Sequence, residues 1–135
     1  MAVTPDGGSV YVADELSGSV TVINARSGAV EATIPVGTGP FDVATSPDGH
    51  RAYVADLGPG NLLVIDTRVG NVASTVSIGP PGTDPFNVAV TSDAVYVTNQ
   101  GANTLSVIDP STLQVVTTVP TGNSPYGVAV QSLPR

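Results

Sequence analysis

The stretch AVYVTNQGANTLSVID, residues 94–109, contains two short apolar segments separated by small polar residues and a glycine. The same arrangement occurs twice earlier, as VYVADELSGSVTVIN at residues 10–24 and AYVADLGPGNLLVID at residues 52–66. Two apolar segments joined by a glycine-containing turn are typical of a β-hairpin. The sequence therefore contains three copies of one structural unit.

The repeat has a nearly constant period. Aligned on an alanine in the apolar segment that precedes each hairpin, four positions about 40 to 45 residues apart fall in register: Ala2, Ala44, Ala89 and Ala129. A period of this size predicts a repeat architecture, in which each unit packs against its neighbours.

Each unit contains four predicted strands joined by turns. In the second unit we predict strands at residues 41–46, 51–56, 61–66 and 71–78. Thr-Pro-Asp-Gly at residues 4–7 and Ser-Pro-Asp-Gly at residues 46–49 place proline and glycine where a reverse turn needs them. Each unit is thus predicted to be a four-stranded meander.

The polarity of the strands indicates how the units pack. Residues 62–65, Leu-Leu-Val-Ile, are apolar on both alternating faces, as in strands covered on both sides. The fourth strand of the first unit alternates between apolar and polar residues, as expected at a half-exposed edge. Four-stranded sheets arranged radially, with the last strand on the rim, form a β-propeller. We predict an all-β propeller segment with three antiparallel blades at about 2–40, 41–85 and 86–125 and an extra inner strand at 126–130.

Four linked motifs carry a resemblance to a known family. They are Pro-Phe-Asp-Val at 40–43, Ser-Pro-Asp-Gly at 46–49, Tyr-Val-Ala-Asp at 53–56 and Val-Ile-Asp at 64–66, with counterparts in the other units. The sequence resembles the YVTN family of β-propeller repeats, relatives of WD-repeat and lactonase-type propellers. The resemblance implies a non-catalytic binding scaffold, in a surface-associated or extracytoplasmic protein. The alternative is a piece of a lactonase-like or dehydrogenase-associated propeller enzyme.

The composition excludes several classes of protein. With 41% apolar and only 11% charged residues, the 135-residue chain can bury a core. A net charge of −7, with no lysine and four arginines, argues against nucleic acid as a partner. The absence of cysteine excludes disulfides and thiolate metal sites. No apolar run is long enough to span a bilayer.

The compartment stays open. The first residues, MAVTPDGG, have neither the basic nor the apolar part of a secretory signal. A secreted or cell-surface location remains an alternative if the chain belongs to a longer precursor.

Three blades are too few for a ring, since propellers typically close with four to eight. An open arc would expose two apolar blade faces. Either the chain is a fragment whose remaining blades belong to a longer chain, or copies of it assemble as a homo-oligomer. Two copies would give six blades and three would give nine. In the dimer, residues 126–130 of one copy would complete the first blade of the next.

Few residues point to catalysis. His50, the only histidine, directly follows the Ser-Pro-Asp-Gly turn, and the sequence places no partner for it in a Ser-His-Asp triad. We predict no catalytic residues and no cofactor, and the question of an enzyme stays uncertain.

One set of aromatic residues is predicted to pack between blades: Tyr11, Tyr53 and Tyr96. A second set could either wedge blades together or reach a channel mouth: Phe41, Phe86 and Tyr126.

The topology of a meander sorts the charges onto two faces. Loops that enter the first strand and join strands two and three share one face, which we call the acidic loop face. Its charged residues are Asp14, Glu15, Asp42, Asp56 and Asp84. The opposite face carries Arg26, Arg51 and Arg68 together with aspartates.

The acidic loop face supplies the candidate ligand-binding residues. They are Asp14, Asp42, Asp56, Asn87 and Asn99. If they converge at a channel mouth, their field favours a cation or a basic partner. Calcium is the metal that such oxygen ligands suit. The alternative is that these residues simply form tight loops. The ligand itself, protein or small molecule, is not identified by the sequence.

Overall fold

The computed structural model describes residues 1–131, which form strands and turns with no helix among them. The strands make three separate four-stranded antiparallel sheets, each hydrogen-bonded in chain order. The predicted fold class is therefore confirmed. We call the sheets blade 1, blade 2 and blade 3.

The strands are short, with tight turns between them. Blade 1 contains β1 (Ala2–Val3), β2 (Ser9–Asp14), β3 (Ser19–Asn24) and β4 (Val30–Pro35). Blade 2 contains β5 (Pro40–Thr45), β6 (Arg51–Asp56), β7 (Asn61–Asp66) and β8 (Asn71–Ser77). Blade 3 contains β9 (Pro85–Val90), β10 (Val95–Asn99), β11 (Thr104–Asp109) and β12 (Gln114–Pro120). In blade 2 the two central strands have the predicted bounds, while β5 and β8 end one residue earlier than predicted.

The register of the inner strands reproduces the alignment used for the repeat. An alanine lies opposite a tyrosine in every blade: Ala2 opposite Tyr11, Ala44 opposite Tyr53 and Ala89 opposite Tyr96. Positions related by the sequence repeat are therefore also equivalent in the structure.

A β-bulge interrupts the pairing between the third and fourth strands of each blade. The extra residue is Glu31 in blade 1, Ala73 in blade 2 and Val116 in blade 3. A bulge bends its strand and re-aims the side chain of the extra residue. These three positions are equivalent but differ in size and charge.

The core lies between the blades. One apolar cluster joins Tyr11 and Val20 of blade 1 to Val54 and Ile65 of blade 2. A second joins the other face of blade 2, including Tyr53 and Leu62, to Val97 and Ile108 of blade 3. Blade 2 is thus covered on both faces, as the continuous apolar run at residues 62–65 predicts.

The outer faces of blades 1 and 3 lack such a cover. Val12 of blade 1 is half-buried, whereas the equivalent Val54 of blade 2 has 0% exposure. Leu105 of blade 3 is half-buried, whereas the equivalent Leu62 also has 0% exposure. The same strand positions are therefore buried only where a neighbouring blade is present.

Residues 126–130, predicted as an extra inner strand, follow blade 3 but pair with no strand among residues 1–131. The segment lies against the outer face of blade 3, where Val128–Gln131, Tyr96 and Leu105 line a cavity of about 370 Å³. Blade 1 already has its own short inner strand, β1. Residues 126–130 of a second copy could complete blade 1 only by extending or displacing β1.

Candidate functional site

Three of the candidate residues occupy one equivalent position. Asp14, Asp56 and Asn99 are the last residues of the second strand in blades 1, 2 and 3. Each lies where that strand enters the turn to the third strand. Each makes its side-chain hydrogen bonds within its own blade or the loop that leads into it.

The two aspartates accept hydrogen bonds that close their loops. Asp14 accepts from the hydroxyl groups of Ser19, at 3.4 Å, and Thr21. Asp56 is only 2% exposed, and its Oδ1 accepts from the backbone N–H of Gly39 at 2.9 Å. Both carboxylates therefore stabilise loops, as the alternative interpretation predicts.

Asn99 is buried, with 1% exposure, and differs from its two counterparts. Its Nδ2 donates to Thr104 Oγ1 at 3.1 Å and to Ser106 Oγ at 2.8 Å. Its Oδ1 accepts no hydrogen bond from the part of the chain that the structure describes. The Asn99 amide therefore donates hydrogen bonds to these hydroxyl groups, whereas the Asp14 carboxylate accepts hydrogen bonds from the equivalent hydroxyl groups of blade 1.

Asp42 and Asn87 are the candidate residues that the structure brings into direct contact. Asp42 Oδ2 accepts from Asn87 Nδ2 at 2.9 Å and from the N–H of Val88 at 3.0 Å. These bonds join β5 to β9, the inner strands of neighbouring blades. The carboxylate therefore connects two blades near the centre of the arc.

The five candidate residues do not form a metal centre by themselves. Within residues 1–131 no group of three or more His, Asp or Glu side chains is close enough to hold a metal ion. Calcium binding stays a prediction, with the acidic loop face as its location.

The aromatic series at the start of each inner strand forms a stack. The ring centroids of Phe41 and Phe86 are 3.8 Å apart, and those of Phe86 and Tyr126 are 4.7 Å apart. The series therefore joins successive blades, and Tyr126 continues it beyond blade 3. Tyr11 and Tyr53 are buried in the two inter-blade clusters, as predicted, whereas Tyr96 is half-buried on the outer face of blade 3.

His50 lies in an exposed turn. Its side chain is 61% exposed, and Nδ1 lies 3.7 Å from Asp48 Oδ2. Asp48 Oδ1 accepts from Ser46 Oγ at 2.6 Å and from the N–H of His50 at 2.9 Å. The hydrogen bond from Ser46, followed by that from the backbone, holds the pKa of Asp48 below its usual value. The aspartate caps the turn, as the Pro-Asp-Gly motif predicts.

A groove on the opposite face was missed by the sequence analysis. It has a volume of about 600 Å³ and lies between blades 2 and 3. Blade 2 contributes Arg51, Tyr53, Asp66 and Ala73, and blade 3 contributes residues around Pro110. We call it the inter-blade groove. The sequence places Arg51 and Arg68 on this face, but no local pattern shows that a cavity opens beside them.

No helix within the described residues is long and apolar enough to cross a membrane.

Comparison with protein families and curated sequences gives a limited match. No family model matches the chain, so the YVTN resemblance is not confirmed. A 48-residue segment is 56% identical to the PE-PGRS family protein PE_PGRS18 of Mycobacterium tuberculosis (strain ATCC 25618 / H37Rv). The segment is 35% of this chain and 10% of that protein.

Comparison with solved structures establishes the propeller fold. The chain is similar to Kuenenia stuttgartiensis hydrazine synthase, with a TM-score of 0.83 and 24% identity over 93% of the chain. It is similar to the WD40 repeats of RRP9, with a TM-score of 0.77 and 18% identity over 90% of the chain. It is also similar to apo AztD from Citrobacter koseri, with a TM-score of 0.68 and 21% identity over 81%. The chain spans 36%, 38% and 31% of these three structures, respectively.

Proposed function

We propose that the chain is a non-catalytic binding scaffold of YVTN type, whose three blades are one arc of a larger propeller. The observation that carries the proposal is the contrast between blade 2 and its neighbours. Ala52 and Val54 of blade 2 are fully buried, whereas their equivalents in blade 1, Val10 and Val12, are half-buried. The outer faces of the arc are therefore apolar like the inter-blade interfaces, but no further blade of the described chain covers them.

The physical argument is the cost of apolar surface in water. Each square ångström left exposed costs roughly 25 cal/mol. The outer faces therefore favour contact with further blades over contact with solvent. Those blades come from a longer chain or from a second copy of this one.

The similarities favour the longer chain as the source of the blades. The chain spans about a third of each solved structure reported above, and the arc matches them over most of its own length. The completed ring would present the acidic loop face to a protein or small-molecule ligand. A surface-associated setting is what the YVTN resemblance implies.

Light scattering coupled to size-exclusion chromatography tests the arc model. The isolated 135-residue chain should either aggregate or form a closed homo-oligomer, most simply a six-bladed dimer. Deleting residues 124–135 should shift that distribution, because the segment against blade 3 is lost. A soluble 13.5 kDa monomer that the deletion leaves unchanged would overturn the model.

A matched pair of variants locates the contact. Val12→Glu introduces a charge on the outer face of blade 1 and should suppress assembly. Val69→Glu introduces the same charge in a turn where the native side chain is already 68% exposed, and should leave assembly unchanged. Equal effects of the two substitutions would contradict an interface on the outer face.

A further inference from the structure

At three positions that line the inter-blade groove, blade 2 differs from blade 1. These are the first residue of the second strand, the last residue of the third strand, and the bulge residue of the fourth. Blade 1 has Ser9, Asn24 and Glu31 there; blade 2 has Arg51, Asp66 and Ala73.

In blade 1 the bulge supplies a carboxylate. Glu31 Oε1 accepts from Asn24 Nδ2 at 2.9 Å, and Glu31 Oε2 lies 3.4 Å from the hydroxyl of Ser9. Burial raises the pKa of Tyr11, and the negative charge of Glu31 nearby raises it further. The blade thus places an anionic group of its own beside its tyrosine.

In blade 2 the equivalent bulge residue, Ala73, carries no charged group. Ala73 ends at Cβ and lines the groove. Arg51 stands where blade 1 has Ser9, and its Nη1 donates to the carbonyl oxygen of Pro110 at 2.7 Å. The same atom lies 3.5 Å from the hydroxyl of Tyr53. Nε and Nη2 of Arg51 donate to no group within residues 1–131, so a guanidinium edge remains for a ligand.

Within the described residues no carboxylate forms an ion pair with Arg51, although Asp48 also lines the groove and the charge of Arg51 helps to lower its pKa. Asp66 lies directly opposite Arg51 in the ladder between β6 and β7, yet within the described chain the two side chains form no ion pair. Asp66 Oδ1 instead accepts from the backbone N–H of Arg68 at 2.9 Å and lies 3.8 Å from Nε of the same arginine, with which it forms an ion pair. Asp66 is also an acceptor where Asn24 of blade 1 is a donor. The groove therefore offers a cationic donor and an anionic acceptor side by side.

The remaining lining is partly apolar. Half-buried Val90 and Leu113 line the groove, together with the nearly fully buried Tyr53 and Val64. A volume of about 600 Å³ falls within the range of small-molecule sites, which combine apolar walls with a few placed polar groups.

We propose that the inter-blade groove binds a small amphoteric carboxylate of the α-amino acid class with an apolar side chain. The ligand carboxylate pairs with Arg51 at the place that Glu31 fills in blade 1. The ligand ammonium donates to Asp66, and the ligand side chain contacts Val90 and Leu113. Bidentate pairing of a carboxylate with a guanidinium is among the stronger polar contacts in proteins. The site is complete within blades 2 and 3, so it does not depend on closure of the ring.

Three probes separate the parts of this ligand. L-leucine carries both charges, 4-methylpentanoate carries the carboxylate alone, and isoamylamine carries the amine alone. In a ¹H–¹⁵N NMR titration of the full chain, L-leucine should shift the backbone amide signals of Arg51, Asp66 and Leu113 saturably. The carboxylate alone should bind more weakly, and the amine alone most weakly.

Three variants locate the site. Ala73→Glu supplies the blade 1 carboxylate in cis and should abolish L-leucine binding while the chain stays folded, since position 73 is exposed. Arg51→Met should weaken binding by about tenfold to a hundredfold, because a charge-assisted bond is lost. Arg26→Met removes an exposed guanidinium from a turn of blade 1 and is the matched control.

Several results would overturn the proposal. One is the absence of saturable shifts with L-leucine at up to about 20 mM, which would exclude even weak binding. Another is unchanged binding by Ala73→Glu, which would place the ligand elsewhere. Binding of isoamylamine as tight as that of L-leucine would remove the role assigned to Arg51.

Discussion

The hydroxyl group of Thr98 donates a 2.6 Å hydrogen bond to the carbonyl oxygen of Tyr126, 28 residues later in the chain. Thr98 Oγ1 itself accepts from the backbone N–H of Asn87 at 3.1 Å. Thr98 is buried, with 3% exposure. One side chain thus connects β10, β9 and the segment that follows blade 3.

Replacing this hydroxyl by a methyl group should destabilise the fold. Thr98→Val keeps the shape of the side chain but leaves the N–H of Asn87 and the carbonyl of Tyr126 without their partner. The expected loss in the free energy of unfolding is about 1–3 kcal/mol, measured by denaturant titration. Thr75→Val, at an exposed position of β8, is the control and should change it by less than about 0.5 kcal/mol. Equal stabilities of the two variants would show that the hydroxyl does not stabilise the segment.

Two glycines with similar backbone angles should respond differently to alanine. Gly60 has φ of 75° and Gly70 has φ of 81°. A Cβ on Gly60 would lie 2.5 Å from the carbonyl oxygen of Gly79, whereas a Cβ on Gly70 would meet nothing within 4 Å. Gly70→Ala should therefore cost only the left-handed conformation, about 1–2 kcal/mol. Gly60→Ala should cost about 1–3 kcal/mol more, because the turn must move. Thermal and denaturant unfolding of both variants would measure the difference, and equal losses would contradict the steric argument.

Calcium should have little effect on this chain alone. Asp14 and Asp56 already accept hydrogen bonds from their loops, and Asp42 already accepts from blade 3. A metal ion would have to replace those donors. We expect millimolar calcium to leave the midpoint of thermal unfolding unchanged, with magnesium as the control. A calcium-specific increase would instead establish selective binding to the folded state, as the sequence-based calcium hypothesis predicts.

At acid pH two turn aspartates should lose their contribution to the stability of the fold. Hydrogen bonds from Thr4 and then Gly8 hold the pKa of Asp6 below its usual value, and those from Ser46 and then His50 do the same for Asp48. A pKa depressed in the folded state stabilises the fold above the pKa of the unfolded chain. That stability is lost as the pH falls through the folded value.

Substitution of one turn aspartate tests this pH dependence. The destabilisation caused by Asp48→Asn should be largest near about pH 6 and should shrink towards zero near about pH 2. Asp93→Asn is a suitable control, because that carboxylate accepts only a 3.4 Å bond from Ser92. A pH-independent effect of Asp48→Asn would exclude the charge of the carboxylate as its cause.

Local patterns in the sequence predict the strands of this chain well. Apolar runs bounded by glycine, proline and aspartate mark β6 and β7 to the residue, because these strands are buried on both faces. Period alone aligns Ala44 with Ala89, and both lie opposite tyrosines in the ladder. The sequence places the blade boundaries at about Pro40 and Pro85, and these two prolines are the first residues of β5 and β9.

The inter-blade groove could not be predicted in the same way. Its volume depends on a bulge residue in β8, a side chain at the start of β6 and a carbonyl oxygen 59 residues after that side chain. No segment of the sequence contains all three. The topology likewise places the charges of the acidic loop face, but only the hydrogen bonds show that Asp56 binds the loop that enters its blade and that Asn99 binds β11.

The half-buried outer faces have a consequence for how such an arc would unfold. Stability in repeat proteins is approximately a sum over units and the contacts between nearest neighbours. Three blades in a row form two blade-to-blade interfaces, so two separate rows contain four such interfaces in total. Closing those rows into a circle makes six contacts without folding any additional residue. An open row can therefore fray from either end, one blade at a time. A closed circle has no end from which to fray, so its blades should melt in a single transition.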